Sequence, residues 1–172
     1  MDFYELISQR ESIRNYDSKR PVAKEKLSRI LDAGRLAPSA CNLQPWKLYL
    51  ISKPENLSKI HTCYPASWFR EAPHILIVAG KTQEAWTRKY DAYNSLETDL
   101  TIVMDHLILA AEAEGVGTCW IAAFDPEALE KTGLFKPDEK IFALTPLGYP
   151  KADFVKKGNK SRKSLDDIVV YL

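Results

Sequence analysis

The chain has few of the features that mark membrane, secreted or polyanion-binding proteins. Its uninterrupted apolar runs, such as residues 75–79, are far too short to span a bilayer. No basic segment followed by an apolar block stands at its beginning, so no signal peptide is visible. A net charge of +1 argues against general binding to polyanions. We therefore expect a cytoplasmic protein with no membrane or nucleic-acid partner.

Cysteine and histidine are too few and too scattered to suggest a disulfide framework or a metal site. The three cysteines, Cys41, Cys63 and Cys119, form no C-x-x-C pair, and the three histidines lie far apart. We therefore predict no bound metal. Cys41 has no visible histidine partner, and we interpret it as a buried or half-buried structural thiol rather than a nucleophile.

The length and composition fit one domain over residues 1–172. Hydrophobic residues make up 45% of the 172, and we find no internal repeat and no low-complexity linker. Apolar periodicity predicts helices over 2–9, 21–36, 54–63 and 96–113, with a short helix from Pro126. Strand-like runs cover 46–52, 74–80, 118–124 and 141–148. The run 74–80 does not alternate, which is typical of a central strand covered on both faces.

The segment 10–16 is a candidate ligand-binding edge. If it is extended, Arg10, Ser12, Arg14 and Tyr16 share one face and Ile13 takes the other. Two guanidinium groups and hydroxyls on one edge could clamp an anion or a polar heterocycle. The alternative is a solvated segment with two surface arginines.

The loop between the second helix and the first strand is the second candidate. Pro38 lies just beyond the helix, and Pro45 favours an extended start to the strand. Between them Ser39, Asn42 and Gln44 can each donate and accept hydrogen bonds. Such a loop suits a planar ligand with polar edges, although a plain helix–strand connection is the alternative.

The C-terminal region combines a basic cluster at 156–163 with an apolar end at 164–172. Lys160 and Arg162, two residues apart, could clamp a phosphate, although nucleic-acid binding and a plain solvated tail are alternatives. The end is too apolar to remain free and should pack against something. Trp120, Ile121, Ala122 and Ala123 offer an apolar wall whose small alanines allow close backbone approach.

Five segments together resemble one family in its own order. Residues 9–16 resemble an R-x-S-x-R-x-F/Y signature, and residues 37–46 resemble an A-P-S-a-x-N-x-Q-P-W loop. Residues 107–121 resemble L-L-A-A-x-x-x-G-L-G-T-C-W-I, and residues 146–151 resemble a G-Y-P-K ending. The tail from Lys160 resembles K-x-R-x-x-L-x-x-I/V. The chain is thereby identified as similar to short, single-domain members of the FMN-dependent nitroreductase family.

The resemblance implies an α+β fold, a three-layer α/β/α sandwich with a central mixed, mostly antiparallel sheet flanked by helices. It also implies a homodimer whose C-terminal tails are exchanged and whose two FMN sites lie in the interface. No helical lid insertion is visible between Thr82 and Asn94. We therefore expect no substrate-enclosing lid.

The resemblance also assigns cofactor-binding roles by position. Arg10, Ser12 and Arg14 should contact the flavin or its ribityl-phosphate side. The proline-bounded loop should reach a flavin from the partner subunit or hold the edge of the flavin. Backbone N–H groups at Ala122 and Ala123 should approach flavin N5 and O4, and the tail pair should bind phosphate. Longer members carry an acidic residue where this chain has Ala122. The implied cofactor residues are Arg10, Ser12, Arg14, Pro38, Ser39, Ala40, Asn42, Gln44, Trp120, Ile121, Ala122, Ala123, Lys160 and Arg162.

The implied activity is a two-step hydride relay. NADH or NADPH would reduce FMN, and a nitro compound, a quinone or a similar small acceptor would reoxidise it. The flavin carries the chemistry, so no catalytic acid or base is expected among the side chains. A flavin-binding sensor or carrier without turnover is the alternative, and a nucleic-acid binder using residues 156–163 is a more distant one.

Overall fold

The computed structural model describes residues 2–158 and 160–172, so Met1 and Asn159 of the predicted domain lie outside the described residues. The structure mixes helices with a sheet, which confirms the α+β prediction. The α-helices are α1 (Phe3–Gln9), α2 (Lys24–Arg35), α3 (Pro54–Ile60), α4 (Ser67–Glu71), α5 (Leu96–Ala113) and α6 (Pro126–Glu130). The strands are β1 (Trp46–Ile51), β2 (His74–Gly80) and β3 (Lys140–Leu147).

The sheet is antiparallel with the order β1-β2-β3. Ile77 of β2 pairs with Tyr49 on one side and with Leu144 on the other. Every residue of β2 is buried, which confirms the prediction of a central strand. The ladder between β2 and β3 shifts register between Val78 and Ala79, which locally bends the pair.

The predicted strand 118–124 is wrong as a regular strand. Within the described residues, its region forms two isolated bridges, Ile121 with Leu144 of β3 and Gly117 with Gly148 directly after β3. Between them, the Cys119 N–H donates to the Thr145 hydroxyl at 3.1 Å instead of to a backbone carbonyl, so the ladder is interrupted. A parallel bridge links Ser12 to Thr118 and makes the N-terminal segment the next neighbour.

Two apolar cores lie on opposite faces of the sheet, because successive strand side chains alternate. Leu76 and Val78 belong to the core that includes residues of α2 and α5. Ile75 and Ile77 belong to the other core, which includes Phe69 of α4 and residues of α3 and α6. The side chains of β2 therefore connect both cores.

The two longest helices pack closely because α2 carries a glycine at their contact. A Cβ on Gly34 would lie 2.6 Å from Leu107 Cδ2, so a larger residue would force α2 away from α5. Gly115, with φ of 69°, follows the C-cap residue Glu114 and ends α5 in the left-handed conformation that favours glycine. Within the described chain, no helix combines the length and apolar character needed to cross a membrane.

Candidate functional site

The two ends of the chain meet around a cationic pocket of about 290 Å³. Its lining brings together two of the four groups that the sequence marked as candidates. The predicted residues that line this cationic pocket are Arg10, Ser12, Arg14, Lys160 and Arg162. Cations from distant parts of the sequence therefore converge on one cavity, which sequence spacing alone did not establish.

The N-terminal edge is oriented by a single buried anchor. The Ile13 N–H donates to the Thr118 carbonyl at 2.7 Å, and the Ile13 side chain is almost fully buried. Because alternate residues point to opposite sides, Ser12 and Arg14 face outward toward the pocket. This alternation confirms the predicted opposition of Ile13 to Ser12 and Arg14.

Tyr16 does not belong to this polar edge, so that part of the prediction is wrong. Its side chain is completely buried, and its hydroxyl donates to the Ile13 carbonyl at 2.8 Å. The Asp17 N–H donates to the Tyr149 carbonyl at 2.8 Å, which fixes the backbone directly after Tyr16. The strict alternation therefore ends after Arg14.

Glu11, which the sequence analysis did not select, fixes the tail beside this edge. Its carboxylate accepts N–H groups from Lys157 at 3.1 Å and Gly158 at 2.6 Å. The bond from Gly158 is the largest cause that holds the pKa of Glu11 below its usual range. The sequence signal for this role was the position of Glu11 between Arg10 and Arg14, two predicted cation positions. Its role is to tie the basic tail to the N-terminal segment.

The pocket places like charges close together. The pKa of Lys160 is lowered, first by burial and then by the neighbouring charges of Arg10 and Arg162. Its ammonium group donates to the Ile7 carbonyl at 2.6 Å, which limits its movement away from the other cations. A dianionic phosphate between these groups would relieve their mutual repulsion. The arrangement can therefore bind an anion.

The predicted apolar wall lies beside this edge and presents backbone donors. Ile121 is buried and exchanges two backbone hydrogen bonds with Leu144, whereas Ala122 and Ala123 are exposed. Within residues 2–158 and 160–172, the N–H groups of these two alanines have no backbone partner. Trp120 is half-buried and packs edge-to-face on Phe142, with ring centroids 5.9 Å apart. The wall therefore combines a fixed aromatic ring with accessible N–H donors.

The proline-bounded loop is a separate, internally bonded unit. Residues Cys41, Asn42 and Gln44 all have φ between 51° and 54°, a left-handed conformation that costs free energy for residues other than glycine. The Ser39 hydroxyl accepts the Gln44 N–H at 2.9 Å, and the Gln44 side-chain amide donates to Asn42. Cys41 is exposed, so its interpretation as a buried or half-buried thiol is wrong.

A buried carboxylate that the sequence analysis missed holds this loop. Asp99 of α5 is 2% exposed and accepts the Ala40 N–H at 2.9 Å and the Ser95 hydroxyl at 2.8 Å. An acidic residue in the first turn of a largely apolar helix was the available signal. Asp99 therefore determines where the loop leaves the protein surface, although it faces no ligand itself.

The loop and the cationic pocket lie at opposite ends of α5. Asp99 holds the loop near the first turn, whereas Glu112, in the last turn, accepts a hydrogen bond from Lys156 of the tail. Thirteen residues of α-helix correspond to about 20 Å along the axis. One chain therefore does not bring Pro38, Ser39, Ala40, Asn42 and Gln44 to the pocket, and their cofactor role stays a prediction.

The rest of the described chain adds no metal centre. No group of three or more His, Cys, Asp or Glu side chains in it could hold an ion. Burial lowers the pKa of His74, whose Nε2 accepts the Val22 N–H at 3.3 Å and whose Nδ1 lies 2.7 Å from the Ser52 hydroxyl. These contacts give His74 a packing role.

Comparison with known proteins assigns the family. A model described as "Nitroreductase family" matches residues 7–63 and 55–149. A protein of Methanothermobacter thermautotrophicus, provisionally named NADH dehydrogenase/NAD(P)H nitroreductase, is 31% identical over 87% of this chain and 78% of its own. The NADH dehydrogenase of Thermus thermophilus is 29% identical over 82% of this chain and 83% of its own.

A solved structure supports the same assignment. The crystal structure of a nitroreductase family protein from Clostridium difficile 630 superposes with a TM-score of 0.90. The two sequences are 31% identical, and the match covers 99% of this chain and 98% of that one. The sequence motifs, the family match and the fold therefore agree, and the chain belongs to the nitroreductase family.

Proposed function

We propose that this protein binds FMN and uses it to pass hydride from NADH or NADPH to nitro compounds, quinones or similar small acceptors. The coarser statement follows from its family: the chain is an NAD(P)H oxidoreductase of the nitroreductase type. The observation that carries the FMN proposal is the convergence of Arg10, Arg14, Lys160 and Arg162 from opposite chain ends on one cavity.

The residues present fit the chemical groups of FMN. The phosphate would be held by the cationic pocket, whose crowded like charges favour an anion. The flavin edge would be met by the exposed backbone of Ala122 and Ala123, where no side-chain acid competes for the N–H groups. When bound, FMN supplies a centre that can accept and release hydride. The role of the protein is then to hold, orient and partly enclose it.

Several exposed apolar surfaces support a homodimer with exchanged tails. Phe3 of α1 is 60% exposed, and Tyr171 and Leu172 at the end of the tail are almost fully exposed. β1 pairs on one side only, so its other edge has backbone groups available for a further strand. We propose that each chain forms a three-layer α/β/α sandwich and that a second copy covers these exposed surfaces. Its loop at residues 38–44 would then complete each cofactor site.

The loop explains why the site would need two chains. Its Asn42 and Gln44 side chains are exposed, and Asp99 holds it through the Ala40 N–H. It nevertheless lies about 20 Å along α5 from the pocket of its own chain. A fixed, exposed loop with donor and acceptor groups is suited to contact a planar ligand held by another subunit. The pairing of loop and pocket therefore supports an interfacial site.

Anaerobic spectroscopy tests the proposal directly. The purified full-length protein should carry flavin absorbance, or acquire it from added FMN, and this absorbance should bleach with NADH or NADPH. Anaerobic addition of a quinone or a nitroaromatic compound should then restore it. A colourless protein that takes up no FMN would overturn the proposal. Bound FMN that neither nicotinamide reduces would identify a sensor or carrier instead.

A further inference from the structure

A second cavity, larger than the cationic pocket and sharing no residue with it, lies between α6 and the beginning of β3. This α6 groove has a volume of about 610 Å³, which falls within the range of small-molecule sites. Its apolar lining consists of Phe124, Pro126, Leu129, Phe135, Pro137 and Ile141. Leu129 is almost completely buried at the helix, whereas both phenylalanines are half-buried. The groove therefore offers aromatic and aliphatic walls to a ligand.

One carboxylate oxygen of Glu139, a residue that lines this groove, accepts no hydrogen bond in the described part of the chain. Glu139 lines the groove and is 9% exposed. Its Oε2 accepts hydrogen bonds from the Tyr49 hydroxyl and, at 3.4 Å, from the Lys136 N–H. Its buried Oε1 has no hydrogen-bond partner anywhere in the described part of the chain. A buried carboxylate oxygen without a donor is costly, so a small rotation of the Glu139 side chain that brings Oε1 to a donor in the groove would be favourable.

The surroundings keep this carboxylate in place. The pKa of Tyr49 is raised to about 12, first by burial and then by the bond to Glu139, so its hydroxyl remains a donor at neutral pH. The Tyr49 ring packs edge-to-face on Phe135 with centroids 5.1 Å apart. The same contact therefore joins the polar end of the groove to its aromatic wall.

The exposed charges at the rim are partly engaged elsewhere. Lys140 forms an ion pair with Glu97 of α5, and Glu127 lies 3.6 Å from Lys131. Lys136, three residues before Glu139, also lies at the rim and takes part in no ion pair within residues 2–158 and 160–172. The charge at the buried end of the groove is therefore the negative charge of Glu139, while the walls are apolar.

We propose that the α6 groove binds a small organic cation, a primary or secondary ammonium carried on an aromatic or branched aliphatic body. On binding, the Glu139 side chain turns so that Oε1 accepts a hydrogen bond from the ammonium group, and the body packs on Phe124, Leu129 and Phe135. Charge complementarity at one end and apolar burial at the other select this class over anions and over neutral polar molecules. The site is separate from the cationic pocket and does not depend on bound flavin.

A titration with three matched probes tests the proposal. Phenethylamine is added to the ¹⁵N-labelled full-length protein, with the flavin that it carries, and amide shifts are followed by NMR. We expect saturable shifts confined to residues 124–141. Phenethyl alcohol, which lacks the charge, should bind about tenfold more weakly, and 3-phenylpropionate should not bind. Equal binding of the amine and the alcohol, or no shifts in this region, overturns the proposal.

Two variants assign the binding to the carboxylate. Glu139→Gln should weaken phenethylamine binding about tenfold, because the charge-assisted bond is lost. Lys136→Met is the matched control and should bind phenethylamine as tightly or more tightly, because it removes a cation from the rim and leaves the Glu139 carboxylate in place. If Glu139→Gln does not fold, the three probes on the unaltered chain still decide the question. Binding that appears only after removal of residues 165–172 would show that the tail fills the groove and would overturn the proposal.

Discussion

The polar groups at the two ends of α5 are held in place by different means. At its C-terminal end, the cationic pocket is made of exposed or half-buried side chains that repel one another and are held by bonds to a tail. At its N-terminal end, the loop 38–44 is held by a buried carboxylate and by its own hydrogen bonds. A bound anion would therefore stabilise the pocket, whereas the loop is preorganised by contacts within the protein.

Removing the cations of the tail should produce the largest effect. The double variant Lys160→Ala/Arg162→Ala should weaken FMN binding about 100-fold, because two charge-assisted contacts to phosphate are lost. The free energy of unfolding of the flavin-free protein should stay almost unchanged, since relief of repulsion offsets the lost contacts. Equilibrium dialysis and urea unfolding measure the two quantities. Lys163→Ala, outside the pocket, is the control, and unchanged flavin affinity would mean that the phosphate assignment is wrong.

The loop should respond in the reverse manner. Asp99→Ala should lower the free energy of unfolding by about 1–3 kcal/mol, because the Ala40 N–H and the Ser95 hydroxyl lose a buried acceptor. Urea unfolding of the flavin-free protein measures this loss. Asp105→Ala, on an exposed position of the same helix, should change stability little. A similar loss in both variants would show that Asp99 has no special role in holding the loop.

A variant of Glu11 tests whether the tail is the part of the pocket that is most easily detached. Glu11→Gln should lower FMN affinity about threefold and increase cleavage of the tail by protease, because the neutral amide binds the Lys157 and Gly158 N–H groups less strongly.

The lowered pKa of Glu11 determines how protection of the tail from protease should change with pH. The pKa of Glu11 is depressed in the folded protein, so its contribution is fully present above the usual value of 4.5 and is lost as pH falls through the folded pKa. Protection of the tail should decline in that acidic range in the unaltered protein. Glu11→Gln should show a flatter profile, and identical profiles would count against the tie.

The smallest effect is expected at Cys41. Cys41→Gly removes the side chain at a φ of 51°, and the relief of strain is offset by greater freedom of the unfolded chain. The free energy of unfolding should therefore change by less than about 1 kcal/mol. Turnover with NADH and a quinone should be retained, because no nucleophilic thiol is required. A loss of turnover with unchanged stability and flavin content would reopen a chemical role for this thiol.

The regular elements followed from sequence more closely than the site did. The apolar period of α5 and the unbroken apolar run of β2 predicted both elements, because helix and strand patterns are local. Alternation likewise predicted that Ile13 opposes Arg14. Two regions departed from the local pattern because residues distant in sequence bond to them. The Tyr149 carbonyl accepts the Asp17 N–H directly after Tyr16. The Thr145 hydroxyl accepts the Cys119 N–H within the region 117–121.

The sequence by itself determined the family, the α+β class and the kinds of side chain available for a cofactor, since these reside in local motifs and periodicity. Only the tertiary structure decided that Arg14 and Lys160 share a cavity, that Glu11 holds the tail, and that loop and pocket lie apart. It also decided that Glu139 is buried beside an open apolar groove. The physical reason is that hydrogen bonds and charge interactions depend on distance in space, which residues far apart in sequence acquire only when the chain folds.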